Sequence, residues 1–548
     1  MPQSNQHLPI PPDTFLRPLV RRYFLLKKWD HEICDLIKTH WTFDAAQWGL
    51  SKTSIKRARQ RFGFHHARGQ KNTLQSIAPY IQKLRKKYPT RGARKLTDSL
   101  FVIHGVRAPR ELVELYLRLA EPEAVQSRRR HRLGRRICWS AGINDIWPQD
   151  QHDKWKRFGL FLHVSLEMHG GYINWLKIWW TNRNSRLITR FYLDRAREIG
   201  GIPLVTQSDP GTENNGVANA HTLLRRALDP SLEDAIQHRW MRILKNIKPE
   251  ILWSMLRRDW AVGFETILQL GLDMGWYDPD PDFQWSSEST LILAFTLNAI
   301  LNRLVFRWLS IPWLQQELDI WVEQQNMTSR RANKNKVLPH GPPALIHERP
   351  EKYGCLDFKV NVPKELFDQV EAEFCPPDHP VFKLVPPVFK PHIKYHYETL
   401  GRPAVNEDSF WEVYRNLLTR LRDALPQHVL NDDPALAAVL TQNNHQQDYD
   451  DVPEADRITP LPGRALRPGG LVVGSGSNPT YEYVGGLEDP EIPSVLLEPD
   501  DEEEERAVQD IVGGFEGEDA DVGNDGDDRD WFAPAQYAVF LDTEDEEE

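Results

Sequence analysis

"LVTQSDPGTENNG", residues 204–216, decides how the fold is read. The run Pro203-Leu204-Val205-Thr206 has the form of a buried strand, and Asp-Pro-Gly ends it with turn chemistry. Asp209 is thereby held at a strand end, where a carboxylate can meet a metal or a substrate. Taken alone, an aspartate before Pro-Gly is better read as a turn or capping residue. Its meaning depends on whether other acids join it.

The sequence upstream supplies a sheet. "LFLHVSL" (160–166) and "YINWLKIWW" (172–180) are apolar or alternating runs on either side of His169-Gly170-Gly171, the pattern of a hairpin. "SRLITRFYLDRAREIGG" (185–201) places Ile188, Phe191, Tyr192 and Ile199 on one helical side and ends at Gly200-Gly201. Two hairpin strands, a helix and the 203–208 strand predict an α/β domain with a mixed sheet over residues 140–265.

Two further acids complete a constellation. Asp150 lies in "NDIWPQDQHDKW", just before the first strands. Glu250 lies in "NIKPEILWSMLRRDW", where Pro249 suits a first helical turn and Ile251, Leu252, Met255 and Leu256 give that helix a buried side. Two strand acids and a helix acid converging at one sheet edge would suit two divalent cations about 3.5–4 Å apart, which activate an attacking oxygen and stabilise the leaving one. Such oxygen donors suit Mg²⁺ or Mn²⁺. Asp145 and Asp153 flank Asp150 as alternative ligands. Glu213 reads as a loop or N-cap acid, and His152, His163 and His238 as core or surface histidines. Trp175, Trp179, Trp180, Trp253 and Trp260 read as core.

The order W-x-x-D, S-D-x-G-x-E-N and N-I-x-x-E-x-x-W-x-x-L-R resembles the integrase core domain of retroviral-type integrases and DDE transposases. It is most similar to fungal transposon-derived integrase-core proteins, also through "WSAGINDIWPQDQHDKWKRFGLFLH", "INWLKIWWTNRN" and "NKVLPHG". The likeness covers roughly residues 128–360. It implies an RNase H-like core and a D,D,E triad of Asp150, Asp209 and Glu250 that binds two Mg²⁺ or Mn²⁺ ions. It also implies a DNA substrate, homo-oligomerisation and a nuclear location. Asp209 and Glu250 stand 41 positions apart, slightly more than in typical integrases. The segment before the glutamate reads "MRILKN" rather than a Gly- or Ser-rich loop, and His65-His66 lack the cysteine pair of a retroviral zinc module.

Charge is distributed in keeping with a nucleic-acid partner. Residues 1–140 carry 29 Lys/Arg against 10 Asp/Glu, and residues 431–548 carry 5 against 33, within a net charge of -10. "WGLSKTSIKRARQRFGF" has helix-turn-helix grammar: Gly49 in a turn, Ser51 as N-cap and Ile55 facing a core, with Lys52, Lys56, Arg57, Arg59 and Arg61 for DNA. A second helical unit follows over 74–121. Arg128, Arg129, Arg130 and Arg132 open a basic linker suited to phosphate contact or nuclear import.

The expected organisation is a helix-turn-helix region at 1–70, a second helical region at 71–127 and a basic linker at 128–139. The catalytic core at 140–265 then leads to a helical extension at 266–360, a Pro-rich and short helical segment at 361–430 and a disordered acidic tail at 431–548, which would engage basic proteins. The apolar stretch 291–314, broken by Asn298, Asn302, Arg303, Arg307 and Pro312, predicts a core helix pair rather than a membrane span. The polar, Pro-rich opening is unlike a signal peptide. Cys34, Cys138, Cys355 and Cys375 form neither a zinc knuckle nor a disulfide framework. Three functions compete: a DNA strand-transfer enzyme, a catalytically silent DNA- or chromatin-binding protein of the same fold, and a nuclease acting on RNA-containing duplexes.

Overall fold

A computed structural model describes residues 8–121, 140–241, 246–279, 289–329, 338–424, 433–441 and 452–466. The Arg128–Arg132 cluster and the segment 467–548 lie outside the described residues.

Helices α1 (Asp13–Leu25), α2 (Asp30–Lys38) and α3 (Lys52–Arg61) open the chain. Ser51 caps α3 as its sequence predicts, accepting a hydrogen bond from the Ser54 N–H at 3.1 Å, and Ile55 is fully buried. The connection over residues 39–51 is much longer than the roughly three or four residues of a tight helix-turn-helix. The short α4 (Ala67–Gln70) precedes α5 (Leu74–Lys87), α6 (Ala93–His104) and α7 (Arg110–Ala120), the expected second helical unit.

The core sheet is built from β1 (Ile146–His152), β2 (Phe161–Leu166), β3 (Ile173–Trp179), β5 (Val205–Ser208) and β7 (His238–Trp240) in the order β3-β2-β1-β5-β7. β2 runs antiparallel to β1 and β3, whereas β5 is parallel to β1 and to β7. Helix α8 (Ser185–Ile199) connects β3 to the far side of β1 and stops at Gly200, whose φ of 66° is left-handed backbone that glycine adopts without strain. A two-residue strand, β4 (Gly201–Ile202), pairs with β8 (Val360–Asn361).

Both sheet faces are covered. Side chains alternate in β2, so Leu162, Val164 and Leu166 join one hydrophobic cluster with α5–α7, α10 (Ile247–Leu256), α11 (Val262–Asp273) and the long helix α12 (Ser289–Met327). The opposite cluster joins Trp147 and Trp175 to α8, α9 (Asn215–Leu228) and the helix Lys364–Phe374. The segment expected to hold a helix pair is thus a single helix that continues through Pro312. Its Gln315 and Asn326 side chains bond the backbone of β3, and that packing outweighs the helix-breaking tendency of proline.

The expected tail boundary at residue 431 also needs correction. A helix at Pro434–Thr441 buries Leu436 and Leu440 completely. Residues 452–466 form a strap along α9. Asp456 accepts from Asn184 and Arg186, Asn215 and Asn219 donate to the Ile458 and Thr459 carbonyls, and β9 (Arg464–Ala465) pairs in parallel with β6 (Ala235–Ile236). Among the described residues, no helix is long and apolar enough to cross a membrane.

Candidate functional site

Register brings the first two acids together. β1 and β5 pair in parallel as Ile146–Val205, Trp147–Thr206 and Pro148–Gln207. Asp150 and Asp209 each lie two residues beyond the last pair, at the same ends of neighbouring strands, which in a sheet run about 4.8 Å apart. Pro210 and Gly211 then turn the chain. Glu213 folds back over Gly211, where even a β-carbon would collide with its carboxylate. Glu250 lies in the first turn of α10, a helix packed against β1.

Asp150 is half-buried. Its pKa is pushed well above the usual carboxylate range by desolvation first and then by the Asp209 charge. A hydrogen bond from the Trp253 indole and the Gln151 backbone N–H pull the other way, and the Glu250 charge adds to the rise. Asp150 therefore feels the charge of both other acids. Among the described residues, however, no three His, Cys, Asp or Glu side chains are gathered closely enough to hold a metal ion. Oxygen donors suit the hard cations Mg²⁺ or Mn²⁺, and mutually repelling carboxylates need a cation or a proton between them to close up.

The alternatives to Asp150 are engaged elsewhere. Asp145 lies before β1 and accepts from the Ala141 N–H at 2.7 Å. Asp153 pairs with Arg183 at 2.9 Å and accepts from Asn182 at 2.7 Å. Burial raises the pKa of Glu213, which feels the charges of Arg183 and Asp153.

Several partners of the site escaped sequence reasoning. Trp253 donates to Asp150 Oδ2 at 2.8 Å, and His152 stacks on that indole with ring centroids 4.7 Å apart. Burial lowers the His152 pKa to about 3, with Lys154 and Arg257 adding to the shift, so the ring is neutral at pH 7. Lys154 and Arg257 are exposed and bring positive charge to this rim. The three-residue step from Glu250 to Trp253 on a helix was the available signal for Trp253. His163 and His238 are buried core histidines, and Trp175 and Trp260 are buried. Trp179 and Trp180 are partly buried against the main hydrophobic cluster and donate to the Val381 and Lys383 carbonyls.

On α3, Lys52, Lys56 and Arg57 are exposed, and Arg61 is exposed but paired with Asp13. Arg59 is a correction. It is only 4 % exposed, binds Asp30 through Nε at 2.7 Å and donates Nη1 to the Phe64 carbonyl at 2.5 Å, so it holds the helices together and presents no surface to DNA.

Compared with known proteins, the chain matches no protein-family model and no curated protein.

Proposed function

We propose that the chain is a DNA-cutting and DNA-joining enzyme of the integrase and DDE-transposase type, with an RNase H-like core and Asp150, Asp209 and Glu250 as its acidic triad. The observation that carries this reading is one of register: Asp150 and Asp209 lie at the same ends of the neighbouring parallel strands β1 and β5, and Glu250 lies in the first turn of the helix packed against β1. The strand order, with one antiparallel strand beside a parallel β1–β5–β7 set, supports the RNase H-like assignment.

The chemistry is in-line displacement at phosphorus. The oxygen of water, or of a DNA 3′-hydroxyl, bonds to phosphorus as the bond to the leaving 3′-oxygen breaks, and the nucleophile's proton passes to solvent. Mg²⁺ or Mn²⁺ bound by the three carboxylates would lower the pKa of the attacking group and stabilise the leaving oxygen. Trp253 holds one oxygen of Asp150, and neutral His152 shields the indole. The exposed charges of Lys154 and Arg257, with Lys52, Lys56 and Arg57 on α3, suit the phosphates of a DNA duplex. Homo-oligomerisation, a nuclear location and contacts of the acidic 467–548 segment with basic proteins belong to the same proposal.

A second reading, a silent DNA- or chromatin-binding protein of this fold, is favoured because no three His, Cys, Asp or Glu side chains among the described residues are gathered closely enough to hold a metal ion. The deciding experiment incubates the full chain with duplex oligonucleotides and Mg²⁺ or Mn²⁺. Cleavage by the wild type that is lost in Asp150→Asn and Asp209→Asn supports the enzyme. DNA binding without cleavage under either cation selects the silent reading, and cleavage retained in both variants removes the triad.

A further inference from the structure

His65-His66, without a cysteine pair, lead into a corner where α1–α3 meet α4–α6. Arg107 follows α6, and its backbone is pinned there. Its N–H donates to Gln70 Oε1 at 2.8 Å, and its carbonyl accepts from Asn72 Nδ2 at 3.2 Å. The guanidinium lies 5.0 Å from the ring centroids of both Phe24 on α1 and Phe101 on α6. Its Nη1 bonds His66 Nδ1 at 3.0 Å. A guanidinium can only donate, so Nδ1 accepts and the neutral ring carries its proton on Nε2. Beyond His66 stands Trp29, 66 % exposed, its ring centroid 6.0 Å from that of the imidazole.

The corner holds more donors and more positive charge than its own residues satisfy. Asp30 is engaged by Arg59 at 2.7 Å, and Glu32, beside Trp29, by Lys28 at 3.2 Å. Arg59 thus has an acid, whereas Arg107 has no carboxylate partner among the described residues. Burial lowers the pKa of Arg107 and of His66, and the Arg59 charge lowers both further. Packing on Phe24 and Phe101 offsets part of the cost of holding a cation here. Aromatic faces, however, leave the in-plane N–H groups of a guanidinium without acceptors.

We propose that Arg107 and His66 bind a backbone phosphate of an unpaired stretch of nucleic acid, and that the adjoining base stacks on Trp29. This rests on the DNA reading and narrows the substrate to DNA with unpaired nucleotides. A planar guanidinium meets a phosphate through two parallel hydrogen bonds, and His66 Nε2–H is a further donor. An exposed indole one ring away suits a base whose face is open, which the stacked interior of a duplex does not offer.

The test measures binding of the full chain to single-stranded and duplex oligonucleotides by fluorescence anisotropy over a salt series, beside thermal unfolding with and without inorganic phosphate. Arg107→Gln keeps a donor for His66 but loses the charge, so the slope of log K against log salt on a single strand should fall by about 0.7, one phosphate contact. Arg107→Lys keeps the charge and should keep the slope. Trp29→Ala removes an exposed ring, so it should leave thermal stability and slope unchanged and weaken single-strand binding by roughly 5- to 100-fold. If Arg107→Gln unfolds, Trp29→Ala decides alone. Wild-type slope in Arg107→Gln with wild-type affinity in Trp29→Ala overturns the corner and leaves the DNA reading standing. Two other results do the same: a wild type that binds duplex but no single strand, and Arg107-dependent stabilisation by inorganic phosphate with single-strand binding unchanged in the variants, which marks a site for the free anion. A wild type that binds neither form of DNA overturns the DNA reading and this inference with it.

Discussion

Replacing Arg59 with alanine should loosen the α2–α3 corner, whereas alanine at the neighbouring Lys52 or Lys56 should not. Arg59 and Asp30 side chains retain only 5 % and 12 % of their exposure in the pair. Removing one partner of a buried pair costs about 3–5 kcal/mol, chiefly because the remaining charge is left buried without compensation. Asp30 lies in the first turn of α2, where the helix dipole stabilises negative charge, so the lower figure, about 3 kcal/mol, applies. At about 1.4 kcal/mol per decade, amide exchange in α2 and α3 should quicken by roughly 100-fold. Hydrogen exchange read by mass spectrometry resolves those helices separately from the sheet. Lys52→Ala and Lys56→Ala, on the exposed side, should change stability by less than about 0.5 kcal/mol. The double variant Arg59→Met/Asp30→Leu should recover most of the loss, since apolar replacement of both partners leaves no buried charge. Wild-type exchange in Arg59→Ala would refute the argument that this cation belongs to the interior.

Asp150 should make the metal-free protein less stable as pH rises. Its native pKa lies above the unfolded value of about 4, so between the two the unfolded chain loses its proton first and stability falls. Asp150→Asn should abolish that part of the pH profile of thermal unfolding; parallel wild-type and variant profiles would contradict it. Alanine at Lys52, Lys56 and Arg57 together should flatten the dependence of log K for DNA on log salt by about 0.9 per phosphate contact, up to roughly 3 units, in a fluorescence-anisotropy titration. An unchanged slope would leave α3 as a solvated surface. Asp456→Ala removes the shared acceptor of Asn184, Arg186 and His379 and should speed limited proteolysis within 452–466, with wild-type cleavage kinetics as the contrary result.

The parts of the fold legible in the sequence are those governed by local periodicity and stop signals. Alternation in "LFLHVSL", the Gly200 stop and the Ser51 cap each act within a few residues, and each produces its element. Asp209 was legible because Pro210-Gly211 fixes a strand end beside it. Interactions between distant segments were not. The inward turn of Arg59 depends on Asp30, 29 residues earlier, and nothing in a basic helix marks one arginine as structural. Asn214 and Asn246 have the composition of ordinary loop residues, and their bonds to Gln149 form only after β1, β5 and α10 have assembled. Continuity of α12 through Pro312 is likewise a tertiary effect.

The strap at residues 452–466 can cover α9 only long after α9 itself has been synthesised. Asn184, next to the start of α8, has its partner Asp456 272 residues downstream. At about 5–20 residues per second, a ribosome needs roughly 15–50 s to make the intervening chain. Throughout that interval the side of α9 that the strap later covers, with the β6 edge beside it, meets solvent and chaperones instead of its eventual cover. The nascent molecule thus has its hairpin and first helices early, but completes the layer over α9 only once residues 452–466 have been made.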